Sequence, residues 1–420
     1  MIRYEDVERG GFQDMPIDAF WNTSAEKESK MHRIHAYPAK FPAFITTKSV
    51  EYARSQGRTV NSMADVFCGC GTAAYEARRL NVDFWGCDLN PVATLIAKTK
   101  SRVYQLPRLE RYAQSILACF QGHEVEDQYK LANPRLKYWY TKRQYNELNH
   151  LKWAIESSTP AKSPYRQFFL CAFSNILKTT SRWLAKSIKP QIDPNKKIVR
   201  VEGAYTLQVS TMLAAVRECE ITSDAETRIV TSNVLSEELG HPKVDLIVTS
   251  PPYVTSYEYA DLHQLSSLWL GYSEDYRDLR QGSIGSTYSD FDFESKVKHL
   301  NHVGDSVVFR MFNIDRRKAK MIARYYLDMQ RVSKTCFNML SDHGMALFVI
   351  GDTEYKGVRI DNAQHLAESL KDAGFSEVMI TKRKISNKIL TPYRDENGRF
   401  TSDGSGRKIY SEEFILIGKK

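Results

Sequence analysis

The period of the apolar positions changes along this chain, and the changes divide it into blocks. Residues 62–68 (SMADVFC) are a short apolar run, closed by Gly-Cys-Gly-Thr and followed by AAYEARRL at helical spacing. DFWGCD at 83–88 is a second apolar run. Asn90-Pro91 then opens VATLIAKTKS, because Asn caps a first turn and Pro suits the first helical position. Strand, glycine turn, helix, strand, helix predicts the start of a doubly wound α/β domain. The alternation returns late in the chain. Strands are predicted near 228–235 and at 243–250, a helix over 318–340, a strand at 344–351, a helix over 361–373, and last strands at 375–382 and 412–418.

Between these blocks the pattern is different. From about 108 to 220 apolar residues recur at helical spacing, with frequent aromatic and basic residues (YWYTKRQYNELNHLKWAI, YRQFFLCAFSNIL, SRWLAK). This predicts a helical insertion rather than more sheet. The expected organisation is therefore 1–107 and 221–420 as two parts of one Rossmann-like α/β domain, helices on both faces of its sheet, and 108–220 as the inserted lobe. Residues 382–408 are polar, Gly-rich and basic and are predicted to be a long loop or arm.

Charge and cysteine content refine this picture. The 59 Lys and Arg exceed the 50 Asp and Glu, a formal charge of +9 that suits a polyanionic partner. No apolar run is long enough to span a bilayer, and MIRYEDVERGGF lacks the basic-then-apolar order of a signal peptide, so a cytoplasmic protein is expected. Seven scattered cysteines without a repeated CxxC form neither a disulfide framework nor a zinc signature. Cys68, Cys70 and Cys87 group tightly at apolar strand ends, where packing or cofactor contact is expected rather than metal.

Three local patterns carry candidate chemistry. Asp65-Val66-Phe67-Cys68-Gly69-Cys70-Gly71-Thr72 is a strand running into a G-x-G turn, where the backbone can approach a ligand. The third glycine of a dinucleotide fingerprint is missing, which favours a cofactor without a pyrophosphate. Asp88 ends the next strand and either accepts from ribose hydroxyls or simply caps the following helix. Ser250-Pro251-Pro252-Tyr253 follows the apolar strand VDLIVT, and the double proline stops that strand where open α/β sheets bind ligands. There a Ser250 hydroxyl and the Pro251 carbonyl could hold both hydrogens of an exocyclic amine, with Tyr253 as a stacking face for an extruded base. An ordinary turn is the alternative.

These residues resemble the amino-methylating DNA methyltransferases of the N4-cytosine and N6-adenine type. TSPPY is similar to their catalytic motif in the version typical of N4-cytosine enzymes, and DVFCGCGT to their cofactor loop. The resemblance implies S-adenosylmethionine as cofactor, with Asp65, Phe67, Cys68, Gly69, Gly71 and Thr72 in the loop and Asp88 and Leu89 at the ribose. His35 to Pro42, with Tyr37, Pro38, Lys40 and Phe41, resembles the segment that holds the methionine end. Val230 to Leu235 resembles the adenine segment, with Asn233 and Val234. It implies DNA as partner with a flipped target base, a prokaryotic setting, and a restriction endonuclease as a functional companion. Adenine N6 or an RNA amine are the alternative targets. Cys68 and Cys70 depart from the usual loop.

No proline is followed by cysteine, so the nucleophile normally used for cytosine C5 is missing. Transfer to nitrogen needs alignment and exclusion of water, and no metal is expected. Lys178, Arg182, Lys186 and Lys189 are predicted to share one helical face, and Lys384, Lys388, Arg394 and Arg399 to lie on the arm. Either set could follow phosphates or face solvent. In SYEYADLHQLSSLWLG, Tyr257, Tyr259 and His263 are candidate pocket groups; Asp328 is another, by resemblance only.

Overall fold

A computed structural model describes the whole chain except residues 8–10, 24–26, 39, 41, 185–186, 188–189, 220–222, 255–258, 286–290, 386–392, 395–399, 402–406 and 409–410. Its centre is an eight-stranded sheet: β1 (Ile2–Arg3), β2 (Ser62–Asp65), β3 (Asp83–Asp88), β4 (Thr227–Thr231), β5 (Val244–Thr249), β6 (Leu340–Ile350), β7 (Glu377–Lys384) and β8 (Glu412–Lys419), in the order β1-β7-β8-β6-β5-β2-β3-β4. Strands β4, β3, β2, β5 and β6 are parallel neighbours. Strand β8 runs antiparallel between β6 and β7. The order reverses at β2, which sends the chain to β3 on one side and has β5 on the other. The carboxyl ends of β2 and β5 therefore flank a topological switch point, where α/β sheets form a ligand crevice.

Period-two alternation decides what each face buries. On β6, Met345, Leu347 and Val349 join the cluster under α1 (Ala43–Ser55), α2 (Thr72–Arg79) and α3 (Pro91–Lys100). Ala346, Phe348 and Ile350 face the opposite layer of α12 (His302–Phe312), which follows the one-turn α11 (Phe293–Lys296), and of α13 (Arg316–Met339) and α14 (Asn362–Ala373). Strand β5 buries Val244, Leu246, Ile247 and Val248, because both its faces are covered. Helix α13 buries Ala319, Ile322, Ala323, Tyr326, Met329, Val332, Cys336 and Met339, a stripe at helical spacing.

Between α3 and β4 run α4 (Leu106–Gly122), α5 (Pro134–Trp139), α6 (Lys142–Ser158), α7 (Pro164–Ile176) and α8 (Val201–Arg217). Their apolar faces do not close on themselves alone. The core that holds Leu109, Leu148, Phe168, Phe173 and Met212 also takes in Cys70, Tyr75, Val92 and Ile96, and Leu265 and Trp269 of α10 (Gln264–Trp269), which follows the short α9 (Tyr259–Leu262). The helical lobe thus leans directly on the glycine loop and the two helices behind it.

The structure moves several expected boundaries. The strand predicted near 228–235 ends at Thr231, and the one at 62–68 ends at Asp65, because the chain turns once it reaches the crevice. Strand β7 extends to Lys384, so Lys382, Arg383 and Lys384 belong to the sheet rather than to the arm. The described part of the arm is not only loop: 393–394 pairs antiparallel with 400–401 and with 407–408. All seven cysteines are free. Among the described residues no helix is long and apolar enough to cross a membrane.

Candidate active site

The glycine loop is held shut by its own backbone and by Asp88. Gly69 N donates to Asp88 Oδ2 at 2.9 Å and Asn90 N to Oδ1 at 2.8 Å, while Cys68 N reaches Cys87 O at 2.9 Å. Each Asp88 oxygen keeps a lone-pair direction beyond these bonds. Burial pushes the Asp88 pKa up to about 6, against the two amide hydrogen bonds that favour its charge. Gly69 and Gly71 adopt φ of +46° and +74°, and a Cβ on Gly71 would stand 2.6 Å from Ala97 Cβ. The turn is therefore closed to side chains, and it leads into Thr72 at the start of α2.

Asp65 and Thr249 tie the two central strands together. Thr249 Oγ1 donates to Asp65 Oδ1 at 2.6 Å, and Phe67 N donates to the same oxygen at 3.0 Å. Asp65 is fully buried, and burial carries its pKa to about 7 despite these donors. The next residues after Thr249 are Ser250, Pro251 and Pro252. Pro251 is buried, and Ser250 and Pro252 are partly exposed.

Tyr253 is packed rather than free. Its ring lies against Gly351, just past β6, so closely that a Cβ there would meet ring atoms at 3.2–3.3 Å. Its hydroxyl donates to Glu413 Oε2 at 3.5 Å. Glu413 is the direct cross-strand partner of Arg383, whose Nε donates to Glu413 Oε1 at 2.6 Å. Arg383 is only 2% exposed and lies over the Phe44 ring at 5.7 Å. Sequence reading left Arg383 in a basic arm and missed Glu413 and Gly351. The signal was the alternation Met379, Thr381, Arg383 within an eight-residue strand, which sets Arg383 on the face toward Phe44.

Of the other expected cofactor residues, Tyr37 stands at the glycine loop and Asn233 beside Leu89, whereas Lys40 does not join them. A Cβ on Gly69 would stand 3.5 Å from the Tyr37 ring, which stacks at 6.1 Å on Tyr259. Asn233 Oδ1 accepts from Leu235 N at 2.8 Å and its Nδ2 donates to Gly282 O at 2.9 Å; Gly282 also faces Leu89. Val234 is buried beside it. Pro38 is partly exposed, and Lys40 is turned away, donating to His32 O at 2.9 Å. Phe41 and Tyr257 lie outside the described residues. Asp328 accepts from Gly285 N at 3.0 Å.

Lys178 and Arg182 do not share the predicted helical face. Helix α7 ends at Ile176, where the Thr180 hydroxyl and amide both turn back to the Ile176 carbonyl. Lys178 then sits over the Trp183 ring and donates to Ser187 O at 2.8 Å, and Arg182 donates to the carbonyls of Lys137 and Tyr138. Both cations are spent on the lobe's own backbone. Lys186, Lys189, Lys388 and Arg399 lie outside the described residues. Lys384 is exposed, and Arg394 stands in the small three-stranded sheet. Among the described residues no group of three or more His, Cys, Asp or Glu is arranged to hold a metal ion.

The ligand that this crevice fits is S-adenosylmethionine. Asp88 offers two acceptors for ribose hydroxyls, and the G-x-G turn admits a nucleoside against its backbone.

No protein-family model matches the chain. It is 22% identical over 429 residues to the Type II methyltransferase M.MvaI of Kocuria varians, covering 95% of this chain and 93% of that one. It is also 22% identical to M.AvaI of Nostoc sp. (84% and 80% covered) and 24% identical to M.BsoBI of Geobacillus stearothermophilus (66% and 59% covered), both Type II methyltransferases. Among solved structures, the rRNA methyltransferase aviRa from Streptomyces viridochromogenes aligns over 96% of each chain with 9% identity and a TM-score of 0.31.

Proposed function

We propose that this chain is a site-specific DNA methyltransferase that transfers a methyl group from S-adenosylmethionine to the exocyclic N4 amine of cytosine. One observation carries the reading: Ser250-Pro251-Pro252-Tyr253 begins at the residue after Thr249, whose hydroxyl is bonded to Asp65 at the mouth of the glycine loop. The residues suited to hold an amine and those suited to hold a methyl donor thus share one rigid junction. Similarity over most of the chain to Type II methyltransferases supports the same class.

The chain's own groups supply alignment and electrostatics. The Pro251 carbonyl and the Ser250 hydroxyl accept the two amine hydrogens, which draws the nitrogen lone pair out of the ring and aims it at the crevice. The bound cofactor supplies a methyl group on a positively charged sulfur. The amine hydrogen made surplus by transfer would pass to solvent by way of the partly exposed Ser250 hydroxyl, while the Pro251 carbonyl only holds its hydrogen in place. Tyr253, clamped between Gly351 and Glu413, offers a fixed ring for the extruded base. The helical lobe, 108–220, is placed beside the loop and serves as target-recognition surface; Lys384 and the arm serve the phosphate backbone.

The test is transfer of labelled methyl groups to unmethylated duplex DNA, followed by nucleoside analysis. N4-methylcytosine is expected; N6-methyladenine alone would overturn the choice of base, and transfer to RNA but not DNA the choice of substrate. Ser250→Ala and Tyr253→Ala should retain cofactor binding and lose transfer.

A further inference from the structure

Asn90 fixes the tautomer of a buried histidine beside the glycine loop. As N-cap of α3, its Oδ1 accepts the Val92 amide at 2.9 Å, which leaves its Nδ2 as a donor. That Nδ2 lies 2.7 Å from His263 Nδ1, so Nδ1 is the accepting nitrogen of the ring. The hydrogen of the neutral imidazole is then on Nε2. Burial, with His35 nearby, holds the His263 pKa down to about 3, so the ring stays neutral at any working pH.

Nε2 is buried and meets no partner among the described residues, and the residue is only 6% exposed. A buried N–H without an acceptor is uncommon in a folded chain and calls for a cause. The surroundings supply one. The imidazole packs at 5.1 Å on Tyr37, the ring beside Gly69, and Tyr37 stacks in turn on Tyr259. The imidazole therefore stands beside the Tyr37 ring at the glycine loop.

We propose that His263 is a cofactor-binding residue whose Nε2–H donates to the carboxylate at the methionine end of S-adenosylmethionine. The proposal rests on the cofactor reading above but not on which base is methylated. The choice of ligand atom follows from complementarity. Asp88 carries only acceptors and so engages ribose hydroxyls as donors, whereas the carboxylate is the cofactor's anionic acceptor and needs N–H groups.

Calorimetry on the full chain without DNA tests this. The probes are S-adenosylhomocysteine, which keeps the carboxylate, and 5′-methylthioadenosine, which keeps adenine, ribose and sulfur but lacks the amino acid. His263→Leu should weaken S-adenosylhomocysteine about 10- to 100-fold, the range of a charge-assisted hydrogen bond, and change methylthioadenosine less than about twofold. His263→Gln, which restores an N–H, should recover part of the loss. Equal weakening of both probes, or of neither, would overturn the assignment. A wild-type measurement guards against a misfolded variant: with 15N-labelled histidine, the Nε2–H resonance should move downfield with S-adenosylhomocysteine and stay in place with methylthioadenosine. No movement with either would also overturn it. A wild-type chain that binds neither probe would fail the cofactor reading itself, whereas normal binding with His263 unaffected would fail this proposal alone.

Discussion

Thr249 Oγ1 stands 2.6 Å from Asp65 Oδ1, so the last residue of β5 is fastened to the last residue of β2 where the order of the sheet reverses. Each strand then releases a loop, one carrying the glycine turn and the other Ser250 to Tyr253. Under the proposed function, a hydrogen bond at this junction sets the distance between methyl donor and amine. Thr249→Val, which keeps shape and removes the donor, should cost about 1–3 kcal/mol of stability because Asp65 loses a buried partner. Thr249→Ser should recover most of it. Denaturant unfolding of the three proteins checks the ordering.

The same carboxyl makes a pH prediction. Its pKa is about 7 in the folded chain, against an ordinary value of 3.8. Between those values the native state holds a proton that the unfolded state has released, so Asp65 contributes stability that rises as pH falls across that window. Thermal midpoints at pH 8, 7 and 6 should therefore climb more steeply in wild type than in Asp65→Asn. Parallel curves for the two proteins would show that Asp65 is not the titrating group.

Asp88 carries the opposite consequence, for binding. With its pKa at about 6, it is a carboxylate above that pH and loses acceptor capacity below it. Affinity for S-adenosylhomocysteine should be flat from pH 8 to 7 and fall below pH 6. Asp88→Asn should bind at least about tenfold more weakly at pH 7.5 and lose this dependence. Calorimetry across the range measures both.

What the sequence disclosed, and what it hid, follows from the range of each interaction. Strand, turn and helix around Asp65, Gly71 and Asn90 are local, and their residue types are visible in a window of thirty positions. The Asn90-Pro91 start shows a cap that the structure contains at 2.9 Å. The Lys178 and Arg182 face failed because helical spacing does not reveal where a helix stops, and the Thr180 turn stops α7 first. Arg383 and Glu413 are 30 positions apart and acquire a role only when β8 inserts antiparallel beside β7. No local window shows that register, and a buried arginine looks like any other basic residue of an arm.

The clamp on Tyr253 separates packing from polarity. Tyr253→Phe keeps the ring against Gly351 and loses only the hydroxyl bond to Glu413, so transfer should fall modestly, by less than about tenfold. Arg383→Met leaves Glu413 as a poorly compensated, largely buried charge and should cost about 3–5 kcal/mol of stability. Arg383→Met with Glu413→Gln should be the more stable protein, since the uncompensated charge is gone. Unfolding curves and single-turnover transfer on the four proteins distinguish the two effects.

Gly71 offers the most severe test of the loop. Its φ of +74° already disfavours any L side chain by about 1–2 kcal/mol. A methyl group there would also stand 2.6 Å from Ala97 Cβ and 2.7 Å from Ala97 Cα, and the latter belongs to the backbone of α3, which cannot turn aside as a flexible side chain would. Gly71→Ala must therefore push α2 and α3 apart, shifting both the turn beneath Asp88 and the packing of the helical lobe on Ile96. S-adenosylhomocysteine binding should be lost even where the variant remains folded by circular dichroism. Gly57→Ala, with φ also at +74° but no atom within 4 Å, is the matched control: it carries the backbone strain without the collision and should bind normally. If both variants bound alike, the close approach at Gly71 would not be what shapes the pocket.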